Sequence, residues 1–201
     1  MKKTMLLTLA LVCGITTEAF AQDTIHTVQS GDTLWKIAQK YQSGISEIVA
    51  ANPSISNPAI IYVGQRIKVP TMTDVKSQES EVLRLVNAER ARAGVKPLTM
   101  NWQLERVARY KCQDMINKNY FSHTSPTYGS PFTMMQNFGI QFSAAGENIA
   151  KGQRSPAEVM NSWMNSPGHR SNILSGTYTQ IGVGLAKDSS GTSYWTQMFI
   201  R

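Results

Sequence analysis

With a single cysteine beyond residue 21, this chain has no means of closing an internal disulfide. Only Cys13 and Cys112 occur in 201 residues, and Cys13 lies in an apolar N-terminal run. A small exported domain without disulfides must be held by packed cores alone. The composition allows that, since 41% of residues are apolar and 16% charged, outside the disordered range. The length suits one large domain or two small ones. Cys112 falls on the apolar stripe Leu104, Val107, Ala108, Met115, Ile116. It therefore reads as a buried structural thiol rather than a reactive one.

The N-terminus explains Cys13. Met1-Lys2-Lys3 is followed by the apolar run Met5 to Val12 and by Ala19-Phe20-Ala21, the pattern of a secretory leader cleaved after Ala21. The run is shorter than the roughly 18 to 20 residues that span a bilayer, so no permanent membrane anchor is expected. The formal charge is +7, and the chain stays basic once residues 1–21 are removed. Such an excess suits an anionic cell wall, membrane or nucleic acid. No basic run or recognition motif accompanies it, which argues against nucleic acid.

Residues 25–70 form a first unit. Ile25-His26-Thr27-Val28 alternates as a strand, with His26 read as an exposed strand residue, and Ser30-Gly31-Asp32 is a turn that caps a helix. Leu34, Ile37, Ala38 and Tyr41 recur at helical spacing. A second short helix runs from Ile45 through Val49 and Ala50 until Asn52-Pro53, and Arg66-Ile67-Lys68-Val69 returns as a strand that Pro70 ends. Residues 71–78 are polar without periodicity and read as a linker reaching roughly 25 Å when extended.

The second unit, residues 79–201, opens with a helix whose face carries Val82, Leu83, Leu85, Val86 and Ala93 and which stops at Gly94. Another helix follows from Asn101 with the Cys112 stripe. Ser155-Pro156-Ala157-Glu158 is a capping box in which Glu158 bonds back to the Ser155 N–H, which removes Glu158 from catalysis. Val159, Met160, Trp163 and Met164 form that helix's buried face. Ile181-Gly182-Val183-Gly184-Leu185 and Tyr194 to Ile200 read as a closing hairpin. The two glycines share one face and invite close approach, most simply by a covering helix. Phe132, Met134, Met135 and Phe138 are either the lining of an apolar-ligand pocket or the buried side of a helix.

Two histidines of the second unit stand in turn-marked segments, His123 in Phe121-Ser122-His123-Thr124-Ser125-Pro126 and His169 in Ser166-Pro167-Gly168-His169-Arg170. Ser166 reads as an N-cap and Pro167 as the first helical residue. His169 then sits in the first turn, where the helix dipole disfavours imidazolium. Neutral imidazole is the form that accepts a proton or binds a metal. Between them lies Glu147, in Gly146-Glu147-Asn148-Ile149-Ala150. His123, Glu147 and His169 are the candidate catalytic or metal-binding set.

The motifs of both units resemble known families. Val28-Gln29-Ser30-Gly31-Asp32-Thr33-Leu34-Trp35-Lys36-Ile37-Ala38, Asn52-Pro53 and Gly64-Gln65-Arg66-Ile67-Lys68-Val69-Pro70 are similar to the LysM carbohydrate-binding module, a βααβ unit. That resemblance implies binding of N-acetylglucosamine in peptidoglycan or chitin by two loops, Gly31, Asp32, Thr33 and Leu34 on one side and Ala59, Ile60 and Ile61 on the other. Loop backbone would pair with the acetamido N–H and C=O, while Leu34, Ile60 and Ile61 floor its methyl. Trp35 is equally a sugar-stacking platform or a core packer.

Residues 79–201 resemble the CAP superfamily of cysteine-rich secretory and pathogenesis-related proteins in a disulfide-free bacterial form. The resemblance rests on Val86-Asn87-Ala88-Glu89-Arg90, Phe121-Ser122-His123, Gly146 to Ala150, Trp163, Gly168-His169-Arg170-Ser171-Asn172-Ile173-Leu174, Ile181 to Gly184 and Tyr194 to Phe199. It implies an α+β chain whose larger domain is a three-layer α-β-α sandwich on a central antiparallel sheet. It also implies a cleft of two His and two Glu, of which His123, Glu147 and His169 match three, while Ser166 stands at the fourth position. The remaining two-histidine, one-carboxylate set suits a divalent ion such as zinc. The expected protein is secreted or wall-associated, on vegetative wall or spore surface, its LysM module anchoring a CAP domain of no established catalysis. Metal-assisted hydrolysis of wall peptide or glycan, and apolar-ligand binding, are the alternatives.

Overall fold

The computed structural model describes residues 23–201, so the leader, its cleavage site and Cys13 lie outside the described residues. The first unit comprises β1 (Thr24–Thr27), α1 (Leu34–Tyr41), α2 (Ile45–Ala50) and β2 (Arg66–Val69). The strands pair antiparallel, with His26 opposite Ile67. Thr33 starts α1 by accepting the Lys36 N–H through its hydroxyl at 3.1 Å. Leu34, Ile37 and Ala38 then face inward against Val28, Ile48, Ile55, Ile67 and Val69, the buried apolar core of this unit.

Two polar residues brace that small core. Asn52 donates to the carbonyls of Ile48 and Lys68 at 2.6 and 2.7 Å and accepts the Lys68 N–H at 2.8 Å, which ties the end of α2 to β2. His26, expected on the exposed side of its strand, is instead only 7% exposed. Its Nε2 donates to Asp32 at 2.8 Å and its Nδ1 accepts from the Tyr41 hydroxyl at 3.1 Å. Strand alternation alone does not show that the turn and α1 fold back over this ring.

The second unit follows as α3 (Thr73–Arg92), β3 (Thr99–Met100), α4 (Trp102–Asn117), α5 (Pro131–Asn137), β4 (Ala145–Lys151), α6 (Pro156–Met164), α7 (Pro167–Leu174), β5 (Gln180–Lys187) and β6 (Ser193–Ile200). The sheet order is β3-β5-β6-β4. It is antiparallel except at its edge, where the two residues of β3 run parallel to β5. Helices α3, α6 and α7 cover one face through Val82, Val86, Val159, Trp163 and Ile173, packed on Val183, Trp195 and Phe199. Helices α4 and α5 cover the other through Leu104, Val107, Ala108, Met134 and Met135, packed on Met198 and Ile200. This is a three-layer α-β-α sandwich, and with both faces covered, all eight residues of β6 are buried.

Gly182 and Gly184 explain how α4 sits so close to the sheet. A Cβ at Gly182 would lie 2.3 Å from the Leu104 carbonyl carbon, and one at Gly184 2.3 Å from that of Ala108. The obstacle is helix backbone, which has no rotamer to yield. Cys112, further along the same helix face, is fully buried and donates to Gly184 O and Thr196 Oγ1 at 3.4 and 3.2 Å. Burial pushes its thiol up to about 12, as befits a structural residue.

Residues 71–78, read from sequence as an extended linker, are helical from Thr73 onward as the first turns of α3. Their polarity reflects a helix whose outer face is solvated, and the inward positions start only at Val75. The two units are therefore in contact. Lys76 donates to the last carbonyls of the first unit's α1 region, Tyr41 O at 2.9 Å and Gln42 O at 3.1 Å. Arg106 of α4 grips Glu47 through two bonds of 3.1 and 3.0 Å, and Ser46 meets the Tyr110 hydroxyl at 3.1 Å. The α6 cap also differs in detail: Ser155 caps as expected, but Glu158 accepts from the Arg154 N–H, one residue earlier, at 2.8 Å.

Gly184→Ala should destabilise the protein by about 2 kcal/mol or more, because α4 must shift bodily to admit the methyl group. Urea unfolding followed by tryptophan fluorescence measures this, and an unchanged midpoint would contradict the account of α4 packing.

Candidate functional site at the β4 edge

β4 is the edge strand of the sheet, and structures from both layers meet at it. Glu147 lies opposite Met198 and shares its face, toward α4, while Asn148 lies opposite Gln197 and faces α7. One strand thus presents a carboxylate on one side and an amide on the other. His123 arrives from the α4 side and His169 from the α7 side.

The segment carrying His123 is held by a buried polar cluster on α4. Asp114 accepts from Tyr120 and Ser125 hydroxyls through Oδ2, both at 2.6 Å, and from the Thr127 hydroxyl through Oδ1 at 2.6 Å. Burial opposes its charge, but these three hydroxyl bonds outweigh burial and hold the carboxyl below its usual range. Lys111 is fully buried and donates to the His123 carbonyl at 2.7 Å and to Tyr120 Oη at 3.2 Å. Its burial lowers its pKa, against the opposing pull of Glu147 and Asp114.

His123 Nδ1 lies 2.7 Å from Glu147 Oε1. With the carboxylate ionised the imidazole donates from Nδ1, which leaves Nε2 as the free nitrogen. The two residues differ in exposure: the His123 side chain is 52% exposed and that of Glu147 1%. Glu147 Oε2 is buried with no hydrogen-bond partner. Burial raises the Glu147 pKa, while the His123 bond and the Lys111 charge pull it back down without cancelling the rise.

His169 stands at the third position of α7 after Pro167, with Ser166 as the residue before the helix. Ser166 makes no side-chain capping bond there. Its backbone holds α7 to the end of α6, since its N–H donates to Trp163 O at 3.2 Å. Asn148 donates to His169 O at 3.1 Å and to Gln197 Oε1 at 3.0 Å, and Asn172 donates to Asn148 Oδ1 at 2.9 Å and Glu147 O at 3.2 Å. Through these amides α7 is fastened to β4. Burial lowers the His169 pKa, and the nearby charge of His123 lowers it further.

The structure therefore brings His123 and Glu147 into direct contact and sets His169 near enough to sense His123. Among the described residues, no three His, Cys, Asp or Glu side chains gather closely enough to share a metal ion. As placed, His123 holds Glu147 Oε1, and Oε2 is the carboxylate oxygen left without a partner; no step below is routed through a metal. The residues that sequence reasoning missed, Lys111, Asp114, Tyr120, Asn148 and Asn172, are ordinary polar positions until their burial is known. Of the apolar-pocket residues, Met134 and Met135 are fully buried core, while Phe132 is exposed. A cleft of about 210 Å³ between the two units is lined by Lys76, Arg106 and Arg109 among others. Arg106 and Arg109 are paired with Glu47, Glu79 and Glu105, while Lys76 donates to backbone carbonyls.

The loops expected to bind sugar leave one end of the β1–β2 sheet, where Val28 N donates to Gln65 O and Gly64 N donates to Val28 O, both at 2.9 Å. Gly31 is exposed at φ +84°, a conformation suited to glycine. Asp32 is committed to the turn: the Gln29 N–H, then His26, hold its carboxyl below the usual range. Thr33 is the α1 cap, and Leu34 is core. Ala59 is exposed, Ile60 is 50% exposed and Ile61 packs partly on the core. Tyr62 and Val63, not singled out from sequence, extend the exposed apolar surface beside Ile60.

A sandwich of this layering, with a histidine-carboxylate pair at its sheet edge, is the CAP class of fold. The model of the cysteine-rich secretory protein family matches residues 83–199, and the chain belongs to that family. The LysM domain model matches residues 26–70. Uncharacterized protein YkwD of Bacillus subtilis is 55% identical over 128 residues, 64% of this chain and 49% of YkwD. A solved extracellular protein containing an SCP domain from Bacillus anthracis superposes with a TM-score of 0.60 at 33% identity, over 69% of this chain and 47% of that one. In the LysM region the endolysin of Bacillus phage B103 is 50% identical over 44 residues, 22% of this chain and 17% of the endolysin. The chain thus spans about half the length of the CAP relatives it matches.

His169 should titrate below its ordinary value near 6.5 when its ring protons are followed by NMR. A depressed histidine pKa means that the fold loses stability as pH falls through 6.5 toward that lowered value. His123→Ala should move the His169 midpoint upward but not fully back, since burial is the larger cause. An unmoved midpoint would show that the two rings are not electrostatically coupled.

Proposed function

We propose that this protein is exported and held on cell-wall peptidoglycan by its LysM module, which keeps the CAP sheet-edge site at the wall surface. The observation that carries the reading is the exposed apolar loop surface of Ile60, Tyr62 and Val63 beside the glycine turn at Gly31. Such a surface costs solvation unless something covers it, and an acetamido methyl flanked by backbone donors and acceptors is a fitting occupant. Support comes from the LysM family match and from the related segment in an endolysin. Among the described residues no helix is long and apolar enough to cross a membrane. We assign retention at the wall to the sugar-binding loops, and one module implies weak, reversible attachment.

The His123–Glu147 pair favours a second reading, acid–base hydrolysis of wall peptide or glycan. Glu147 holds Nδ1, and Nε2 of the half-exposed ring can take a proton from an attacking water and return it to a leaving group. The lowered pKa of His169 keeps that ring neutral beside it, as a hydrogen-bond partner for substrate. Release of soluble fragments from purified peptidoglycan, lost in His123→Ala, would establish this chemistry; no release by the unaltered protein would leave the site to ligand binding.

Ile60→Asp should weaken co-sedimentation with purified sacculi by about tenfold or more, because a carboxylate would meet the apolar part of the sugar and the anionic wall. Undiminished binding by a folded Ile60→Asp variant would remove the loop from the binding surface.

A further inference from the structure

Trp35 and Trp102 lie on different domains, and their ring centres are 6.0 Å apart with planes inclined at 47°. Trp35 follows Leu34, the last residue of the glycine turn's side of the sugar site. Leu34 is buried, and a step of one residue along a helix turns the next side chain about 100° away. Trp35 is accordingly 45% exposed and does not belong to the LysM core. Trp102 is the first residue of α4 and half-buried. The two tilted rings touch, and what Trp102 does not cover of Trp35 remains an apolar face open to solvent.

The backbone on either side of each ring is tied to its surroundings. Lys36 donates to Gly31 O at 2.7 Å, which ties the start of α1 to the sugar-side turn. Asn101 caps α4 by accepting the Gln103 and Leu104 N–H groups, donates its side-chain amide to Gln180 and its backbone N–H to Ile181 O, and so pins Trp102 to the sheet. The Glu47–Arg106 pair, the Ser46–Tyr110 bond and the Lys76 bonds keep the domains in register.

We propose that Trp35 and Trp102 form a further carbohydrate subsite, one ring from each domain, which continues the LysM loops' grip on a β-linked N-acetylglucosamine chain onto the CAP domain. The occupant follows from chemistry and continuity. A pyranose with equatorial substituents presents flat C–H faces that pack on aromatic rings, while its edge hydroxyls stay in water. The subsite adjoins the turn that takes the acetamido group, so a chain leaving the loops in that direction meets the indoles next. With the two domains already joined, less ordering is needed to bring the rings together on binding. The CAP domain would thereby read glycan length as well as ride on the wall. This inference rests on the loops binding N-acetylglucosamine.

The test is titration of the full chain with chitin oligomers from dimer to hexamer, for the unaltered protein, Trp102→Ala and Trp102→Tyr, each checked for an unchanged unfolding midpoint. The unaltered protein should bind long oligomers more tightly than short ones. Trp102→Ala should erase about tenfold of that gain while leaving the dimer unaffected, and Trp102→Tyr should restore most of it. Equal weakening at every length, or no change at any length, would overturn the subsite while leaving the loops as the sugar site. Failure of the unaltered protein to bind any oligomer would overturn the loop reading and the subsite with it.

Discussion

Helix α4 lies against β5 so closely that no side chain fits at Gly182 or Gly184, and the rest of the molecule is placed from that contact. One face of the helix closes the core through Leu104, Val107, Ala108 and Cys112. Its flank offers Arg106 and Tyr110 to the LysM unit. Its C-terminal half holds, through Lys111 and Asp114, the segment that brings His123 to Glu147. A displacement of α4 would move the LysM unit and the histidine together.

Ionisable side chains buried where α3 meets α4 are costly unless they find partners, and burial pushes Glu79 of α3 up to about 8 in spite of the ones it has. Glu79 is fully buried and accepts from Arg109 at 2.8 and 3.0 Å and from the Leu185 N–H at 3.0 Å, while Arg109 also meets Glu105 at 2.8 Å. Such pairs add little net stability over apolar packing, but losing one partner strands the other in a dry interior. They tie α3, through Glu79, to Arg109 of α4 and to the Leu185 N–H of β5. Glu147 Oε2 is the contrast, a buried carboxylate oxygen without a partner. The unanswered group sits at the sheet edge beside the exposed imidazole, where chemistry or ligand recognition would use it.

Much of the architecture was legible because local signals and tertiary packing agree. The glycines of Ile181-Gly182-Val183-Gly184 announced a covering helix, and the Cys112 stripe announced its inner face. Motif resemblance located His123, Glu147 and His169, whose separation along the chain says nothing about proximity. What was not legible depends on contacts between distant segments. The polar start of α3 reads as linker because its apolar face begins late. His26 reads as exposed because strand alternation knows nothing of Asp32 and Tyr41. Lys111 and Asp114 read as solvated helix residues because the loop that buries them lies elsewhere in sequence. The candidate metal ligands share a neighbourhood, but only His123 and Glu147 touch, and sequence spacing does not show that His169 stands apart from them.

The central claim is that α4 holds the LysM module and the sheet-edge site as one body. Residual dipolar couplings of backbone amides, collected on the full chain in weak alignment, test it most directly. A single alignment tensor should fit the couplings of residues 24–69 together with those of residues 73–200. Two tensors of different magnitude or orientation would mean that the domains move independently, and the shared role of α4 would fall.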